Sequence, residues 1–316
     1  MKIILNSLDI SSVPEFDSIF EGIGLLKNVK TDRDSVLNNI KNVDAYLASA
    51  AIKIDKEFLN HADNLKVIGS PSTGTDHMDL DLIAERGIKC FDISKETELL
   101  NSFTATSELA FSLLLSLLRK NILACNDAKN GIWSREKYTG LQLYGKVFGI
   151  LGLGRLGKIS ARIANGFGMK VRAHDIKDIS FPNVKMVDLN TLVQKSDFLS
   201  IHIHLNKDTE GLVNMDFLKK MKKNAVIINT SRGKIINELD LLYALEKSII
   251  AGAALDVIDG EWLTKQELYK HPLIEYSRNS DKIIISPHIG GATIESICGA
   301  RLFMAKKVAD FLSELD

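Results

Sequence analysis

Val147-Phe148-Gly149-Ile150-Leu151-Gly152-Leu153-Gly154-Arg155-Leu156-Gly157 is the stretch that decides the fold. Its first five residues form an apolar run, the pattern of a parallel strand covered on both faces. After the glycines, Lys158-Ile159-Ser160-Ala161-Arg162-Ile163-Ala164 has helical spacing. Strand, GxGxxG and helix in that order aim backbone N–H groups and a helix start at a pyrophosphate. Gly152 serves the tight turn, Gly154 the close approach of the phosphates, and Gly157 the packing of helix on strand. Alone, a glycine-rich turn often does no more than close a strand–helix junction. Here a second strand, Lys170-Val171-Arg172-Ala173-His174, ends at Asp175, about 20 residues past the first glycine, where an acid takes the adenosine ribose hydroxyls. That carboxylate also repels the 2′-phosphate of NADP. The pair of signals predicts NAD as cofactor.

The segment 1–145 ahead of this motif needs a fold of its own. It alternates strand-like pieces (Lys2–Leu5, Ala45–Ala48, Lys66–Gly69, Ile88–Phe91) with helical patterns, a βαβ series and hence a doubly wound sheet. A long amphipathic stretch, Thr104 to Asn130, leads into the nucleotide-binding region. Further strands are expected at Phe198–Ile203, Ala225–Asn229, Gly252–Leu255 and Ile283–Ile285, with helices at Met215–Met221 and Glu238–Lys247. The span Asp259–Asp281 reads as the least regular part. One last helical pattern, Ile294 to Leu315, is too short to be a domain. Returning it to the N-terminal part makes residues 101–286 an insertion into a domain built from 1–100 and 287–316. The expected fold is α/β: two doubly wound parallel-sheet domains, a Rossmann NAD-binding domain inserted into a flavodoxin-like substrate domain. Two chain crossings, near Asn101 and Pro287, form a hinge, and ligands collect in clefts of this kind.

Composition narrows the function classes. A chain of 316 residues suits about two domains, and 45% apolar with 25% charged residues is ordinary for a globular protein. Forty basic residues balance forty acidic ones, so charge calls for neither nucleic acid nor an anionic membrane. Cys90, Cys125 and Cys298 are scattered, without a metal or disulfide framework, and suit a reducing compartment. No metal ligand set is expected. Met1-Lys2-Ile3-Ile4-Leu5-Asn6 turns polar too soon for a signal peptide, and Leu109–Leu118 is too short to span a bilayer. A cytoplasmic enzyme is expected.

Three strand ends carry unusual polar residues. Arg232 follows Val226-Ile227-Ile228-Asn229-Thr230-Ser231, where a guanidinium can grip a carboxylate with two parallel bonds. The same arginine can equally be a surface residue in a turn closed by Gly233. Gly252-Ala253-Ala254-Leu255-Asp256 lets a flat ring approach, and Asp256 can hold a nicotinamide carboxamide; Glu261, a little further on, can also be a solvated acid. His288 stands behind Ile285-Ser286-Pro287 and ahead of Gly290-Gly291, exposed at a crevice or structurally satisfied. Together the three fit one reaction. Reducing a 2-keto acid needs a cation for the carboxylate, an acid for the carbonyl oxygen and a hydride donor. Histidine ionises near physiological pH, and a carboxylate neighbour keeps its acid form available.

The chain resembles the D-isomer-specific 2-hydroxyacid dehydrogenases, the group that includes D-3-phosphoglycerate, glycerate and hydroxypyruvate enzymes. The likeness runs end to end. It rests on Ser72-Thr73-Gly74-Thr75-Asp76-His77-Met78-Asp79-Leu80-Asp81, Thr106-Ser107-Glu108, Gly131-Ile132-Trp133, Gly145-Lys146, the glycine motif with Asp175, Asn229–Gly233, Ala254–Val257 and Pro287–Gly291. The resemblance implies that Arg232 clamps substrate, that His288 is the general acid/base, and that Glu261 is its partner. It implies that Ser72, Thr73 and Gly74 bind the substrate carboxylate. It further implies that Thr73, Thr106, Gly152, Gly154, Arg155, Leu156, Gly157, Asp175, His202, Thr209, Thr230, Asp256 and Gly290 border NAD. The implied function is interconversion of a small D-2-hydroxy acid and its 2-keto acid. D-3-phosphoglycerate, D-glycerate/hydroxypyruvate and glyoxylate substrates stay open. An NAD(H)-sensing co-repressor on the same fold is the alternative.

Departures from the family pattern flank the site. Where members often have His-x-Pro-Leu, this chain reads His202-Ile203-His204-Leu205, and Trp262 replaces the usual proline after Glu261. The Glu261–His288 span is longer than common and holds Tyr269. No C-terminal extension of regulatory type is read, so feedback control of that type is not expected. The greasy stretch Thr104–Arg119, with the Trp133 arm after it, predicts burial on more than one side, and the resemblance implies a homodimer there.

Overall fold

The structure is a computed structural model that describes residues 1–261 and 263–315. Trp262 therefore lies outside the described residues. The chain divides into two compact units, Met1–Phe103 with Ala292–Asp316, and Thr104–Gly291.

The first unit holds five parallel strands: β1 Lys2–Asn6, β2 Gly24–Asn28, β3 Ala45–Leu47, β4 Val67–Gly69 and β5 Lys89–Phe91. Their order, β2-β1-β3-β4-β5, is the flavodoxin-like one. The order reverses at β1, and ligand crevices of such sheets open at the carboxyl ends around the reversal. The helix Ile294–Ser313 belongs to this unit. Its Met304, Ala305, Val308 and Leu312 share one core with Ile4, Leu47 and Val67. Gly69 permits that packing, since a Cβ there would lie 2.6 Å from Val308 Cγ2.

The second unit holds seven: β6 Val147–Leu151, β7 Lys170–His174, β8 Val184–Met186, β9 Phe198–Ile201, β10 Val226–Asn229, β11 Gly252–Leu255 and β12 Ile283–Ile285. All pairings are parallel, in the order β12-β11-β10-β9-β6-β7-β8. Here the order reverses between β6 and β9. The central strands are buried along nearly their whole length, which is why they read as unbroken apolar runs.

Four local features depart from the sequence reading. β2 and β8, absent from it, are edge strands with mostly part-exposed residues, so neither shows a buried run. The stretch 104–130 is two helices, Ala105–Leu118 and Asn121–Lys129, broken where Lys120 adopts φ +50°. The span 259–281 is more regular than expected. It contains helices Lys265–Tyr269, with a Thr264–Glu267 capping box, and Pro272–Ser277, which starts on a proline. The helix Ala105–Leu118 covers its apolar faces inside its own unit, with Phe111 stacked on Phe148 and Phe167.

Candidate active site

The glycine turn is built as its spacing demands. Gly152 adopts φ +95° and abuts the His202 carbonyl, so no side chain fits there. A Cβ on Gly157 would lie 2.2 Å from the Gly152 carbonyl oxygen, whereas nothing stands within 4 Å of one on Gly154. Turn and helix thus touch at Gly157, and the space beside Gly154 is open for a phosphate. Arg155 and Leu156 begin the helix Arg155–Gly166. Ser107 Oγ donates to the Leu156 carbonyl at 3.0 Å, tying the Ala105–Leu118 helix to the turn. Asp175, at the end of β7, accepts the Leu153 N–H at 2.7 Å and the Lys177 N–H at 2.9 Å. Each oxygen keeps a lone pair for a ribose hydroxyl.

Past the central strands, two polar atoms are shielded from solvent and meet no hydrogen-bond partner among the described residues: His202 Nδ1 and Thr230 Oγ1. Burial pulls the His202 pKa down to about 4, so that ring is neutral near pH 7. Its Nε2 lies 2.9 Å from Ser200 Oγ. Buried polar atoms of native proteins are nearly always satisfied, and a ligand at these strand ends can do it. Open cradle, acid and orphaned atoms together fit a nicotinamide dinucleotide.

Arg232 and His288 sit past the neighbouring strand ends. Arg232 follows β10; its Nη1 donates to the Ser231 carbonyl at 2.8 Å, while Asn229 Nδ2 holds the Arg232 carbonyl at 2.9 Å. Gly233 presses on the 258–259 backbone, since a Cβ there would lie 2.1 Å from the Ile258 carbonyl carbon. His288 stands past β12 with φ +53°, a left-handed conformation costing a non-glycine residue about 1–3 kcal/mol. Asp256, buried past β11, holds that loop in place. Its carboxylate accepts the Ser286 hydroxyl at 2.5 Å and the N–H groups of Ile289 at 2.9 Å and Gly290 at 2.7 Å. Its own carbonyl takes the His288 N–H at 2.8 Å. Charged hydrogen bonds of about 1.5–3 kcal/mol each outweigh the strain.

His288 Nδ1 lies 2.9 Å from both carboxylate oxygens of Glu261. The bond to Glu261 raises the His288 pKa most. Burial opposes it, the charges of Glu261 and Asp256 raise it further, and the Arg232 guanidinium lowers it. That last influence places Arg232 in the same field as the ring.

The remaining predicted site residues are placed as follows. Thr106 lies beside Gly290, where a Cβ would come 3.1 Å from Thr106 Cγ2. Thr209 closes the 204–209 turn, its hydroxyl donating to the His204 carbonyl at 2.7 Å. Asp256, read as a carboxamide ligand, has both oxygens engaged by the His288 loop. Ser72, Thr73 and Gly74 belong to the first unit, in the loop after β4. Ser72 Oγ donates to the Gly74 carbonyl at 2.8 Å and lies 2.8 Å from Ser70 Oγ. Sequence reasoning missed Glu238 and His271, a pair 3.1 Å apart that touches the backbone just before Glu261. The only signal was His271-Pro272, a helix start with proline in the first turn.

Residues 111–290 match the model of the D-isomer specific 2-hydroxyacid dehydrogenase NAD binding domain, and residues 4–98 that of the catalytic domain of the same enzymes. The chain belongs to the D-isomer specific 2-hydroxyacid dehydrogenases. It is 37% identical to a glyoxylate reductase of Thermofilum pendens, over 85% of this chain and 78% of that one. It is 32% identical to D-3-phosphoglycerate dehydrogenase of Bacillus subtilis over 92% of this chain but about half (52%) of that protein's length. A solved D-lactate dehydrogenase from Aquifex aeolicus, complexed with NAD and lactic acid, matches with a TM-score of 0.85. It is 25% identical, over 99% of this chain and 96% of that one. Membership makes this dehydrogenase an oxidoreductase acting on the CH–OH of a D-2-hydroxy acid, with its NAD(P)-binding domain in the second unit. Among its described residues no helix is long and apolar enough to cross a membrane, and no group of acidic, histidine or cysteine side chains could hold a metal.

Proposed function

We propose that this dehydrogenase reduces a small unphosphorylated 2-keto acid with NADH, using Arg232, Glu261 and His288. The observation that carries this reading is the His288–Glu261 pair, 2.9 Å apart, with its histidine pKa raised. Arg232 grips the substrate carboxylate with its fork, which orients the carbonyl. NADH, when bound, supplies the hydride to the carbonyl carbon. His288, with Nδ1 engaged by Glu261, delivers a proton from Nε2 to the carbonyl oxygen, and solvent returns one to the ring. In the reverse direction the neutral ring takes the hydroxyl proton. The first unit, matched by the family's catalytic domain, is read as the substrate domain, and the resemblance assigns carboxylate binding to the backbone of Ser72, Thr73 and Gly74.

Asp175 supports NADH over NADPH, because a 2′-phosphate would meet its carboxylate and no arginine follows at once to neutralise it. The chain is 37% identical to the glyoxylate reductase and 32% identical to the phosphoglycerate enzyme, and the higher identity supports the smaller acid. The working form is a homodimer in a reducing, cytoplasmic setting, where Cys90, Cys125 and Cys298 stay free thiols. The test is NADH oxidation with glyoxylate, hydroxypyruvate, pyruvate and 3-phosphohydroxypyruvate, repeated with NADPH. Glyoxylate or hydroxypyruvate should give the highest kcat/KM, with NADH preferred. Preference for the phosphorylated acid overturns the substrate, and parity with NADPH overturns the cofactor.

A further inference from the structure

We propose that Glu238 and His271 are positioning residues that hold the backbone of Asp259 from both sides and so aim Glu261 at His288; this rests on the acid/base reading above. The Asp259 N–H donates to Glu238 Oε1 at 2.8 Å. The Asp259 carbonyl lies 3.0 Å from His271 Nε2, which is also 3.1 Å from Glu238 Oε2. Both polar groups of one peptide residue are therefore held by one hydrogen-bonded pair of side chains. His271 is only 8% exposed, and its Nδ1 meets no partner among the described residues. A single ring proton is thus best placed on Nε2, where it is donated toward the Asp259 carbonyl and Glu238.

The chain between this anchor and Glu261 explains why an anchor is needed. Only Gly260 intervenes, at φ +82°, a conformation open to glycine but one that glycine does not hold by itself. Glu261 is aimed correctly only while Asp259 is fixed. The segment is pressed from a second side, because Gly233, next to Arg232, packs against Ile258 and Asp259. Glu238 is itself set at the first position of the helix Glu238–Glu246, whose N-cap Asn237 accepts the Asp240 N–H at 3.2 Å. His271 stands at the N-cap position of the next helix but one, Pro272–Ser277, with its ring turned to Asp259 and Glu238 rather than to the helix N–H groups. Burial pushes the Glu238 carboxyl above the usual carboxylate range. A largely buried acid whose two oxygens are taken by the Asp259 N–H and by the histidine on the Asp259 carbonyl has a geometric purpose.

The test measures pH profiles of keto-acid reduction by His271→Ala, His271→Gln, Glu238→Ala and Glu261→Gln, alone and combined, with NADH affinity and melting temperature alongside. Around His288 the charged groups are Glu261, Asp256 and Arg232. His271→Ala and Glu238→Ala should lower kcat, by up to about 10²-fold for a misplaced group. They should also move the limb toward lower pH, as Glu261→Gln does, and leave NADH affinity in place. His271→Gln keeps a donor where Nε2 stands and should restore most of kcat and the limb. In the Glu261→Gln background His271→Ala should move the limb no further. A limb at the wild-type pH in folded His271→Ala and Glu238→Ala, or an additional shift in the double variant, overturns the positioning role while the acid/base pair stands. A limb unmoved by Glu261→Gln itself overturns the acid/base reading and this one with it.

Discussion

At the scale of the residue, the chemistry turns on which way each neighbour pushes His288. The Glu261 hydrogen bond is the chief upward influence on its pKa, and burial and Arg232 push down. In the proposed mechanism reduction requires the imidazolium, so its rate should be full at low pH and fall as pH rises through the raised pKa. Oxidation requires the neutral ring and slopes the other way. Glu261→Gln withdraws the upward influence and leaves burial and Arg232 in place. The falling limb for reduction should therefore move to lower pH in a kcat/KM profile. His288→Ala should cost about 10²–10⁴-fold in turnover, the usual size of general acid catalysis. NADH binding should survive, because the glycine turn and Asp175 lie on other strand ends. Arg232→Lys keeps the charge and loses the fork, so KM for the keto acid should rise and kcat fall together. Near-normal turnover in His288→Ala, measured by NADH absorbance, would exclude that ring as the acid.

At the scale of the element, the glycine turn separates stability from binding. Gly157 meets backbone, with 2.2 Å between a Cβ and the Gly152 carbonyl oxygen. Gly157→Ala must push the helix Arg155–Gly166 off β6, at about 1–3 kcal/mol of overpacking. Both the melting temperature and NADH affinity should fall. Gly154→Ala meets open space and an ordinary φ of −71°, so its melting temperature should match the wild type. Its NADH affinity should nevertheless drop, since the methyl occupies the phosphate's approach; unchanged affinity by titration would remove the dinucleotide from this turn. The turn was legible because strand, glycines and acid are all local in sequence. So were β10 and β11, whose runs are buried outright, and the all-isoleucine edge strand β12, which is apolar throughout though only partly buried. Edge strands β2 and β8 were not legible, because half-exposed residues leave no apolar signature. Grouping Glu261 with His288 came from the needs of the reaction and from the family resemblance, since no local spacing joins residues 27 positions apart. The hold of Glu238 and His271 on Asp259 was not legible, since helix termini far apart in sequence meet there only after folding.

At the scale of the whole molecule, the expectation of a dimer began from a helix apolar on several sides and the Trp133 arm after it, and the structure shifts the weight from the helix to the arm. The helix Ala105–Leu118 satisfies itself against Phe148, Phe167 and the second sheet. What it leaves uncovered is the segment that follows. The helix Asn121–Lys129 has no buried residue, Ile122, Leu123, Ile132 and Leu141 are exposed, and Trp133 is 91% exposed. Large apolar side chains gathered in one stretch of a monomer surface are the mark of a contact, and tryptophan is the usual anchor of one. A second copy of the chain is the expected occupant, because closed two-fold pairs are the commonest assembly. Light scattering at micromolar concentration should therefore give twice the chain mass of 35.0 kDa. Trp133→Ala should weaken the pair by about 2–4 kcal/mol, the cost of losing an interface anchor, and so shift the mass toward the monomer on dilution. The same variant should keep its melting temperature when measured as a monomer, because an indole that is 91% exposed buries little surface in its own unit. A mass of 35.0 kDa at every concentration for the wild type would leave this surface without its second copy.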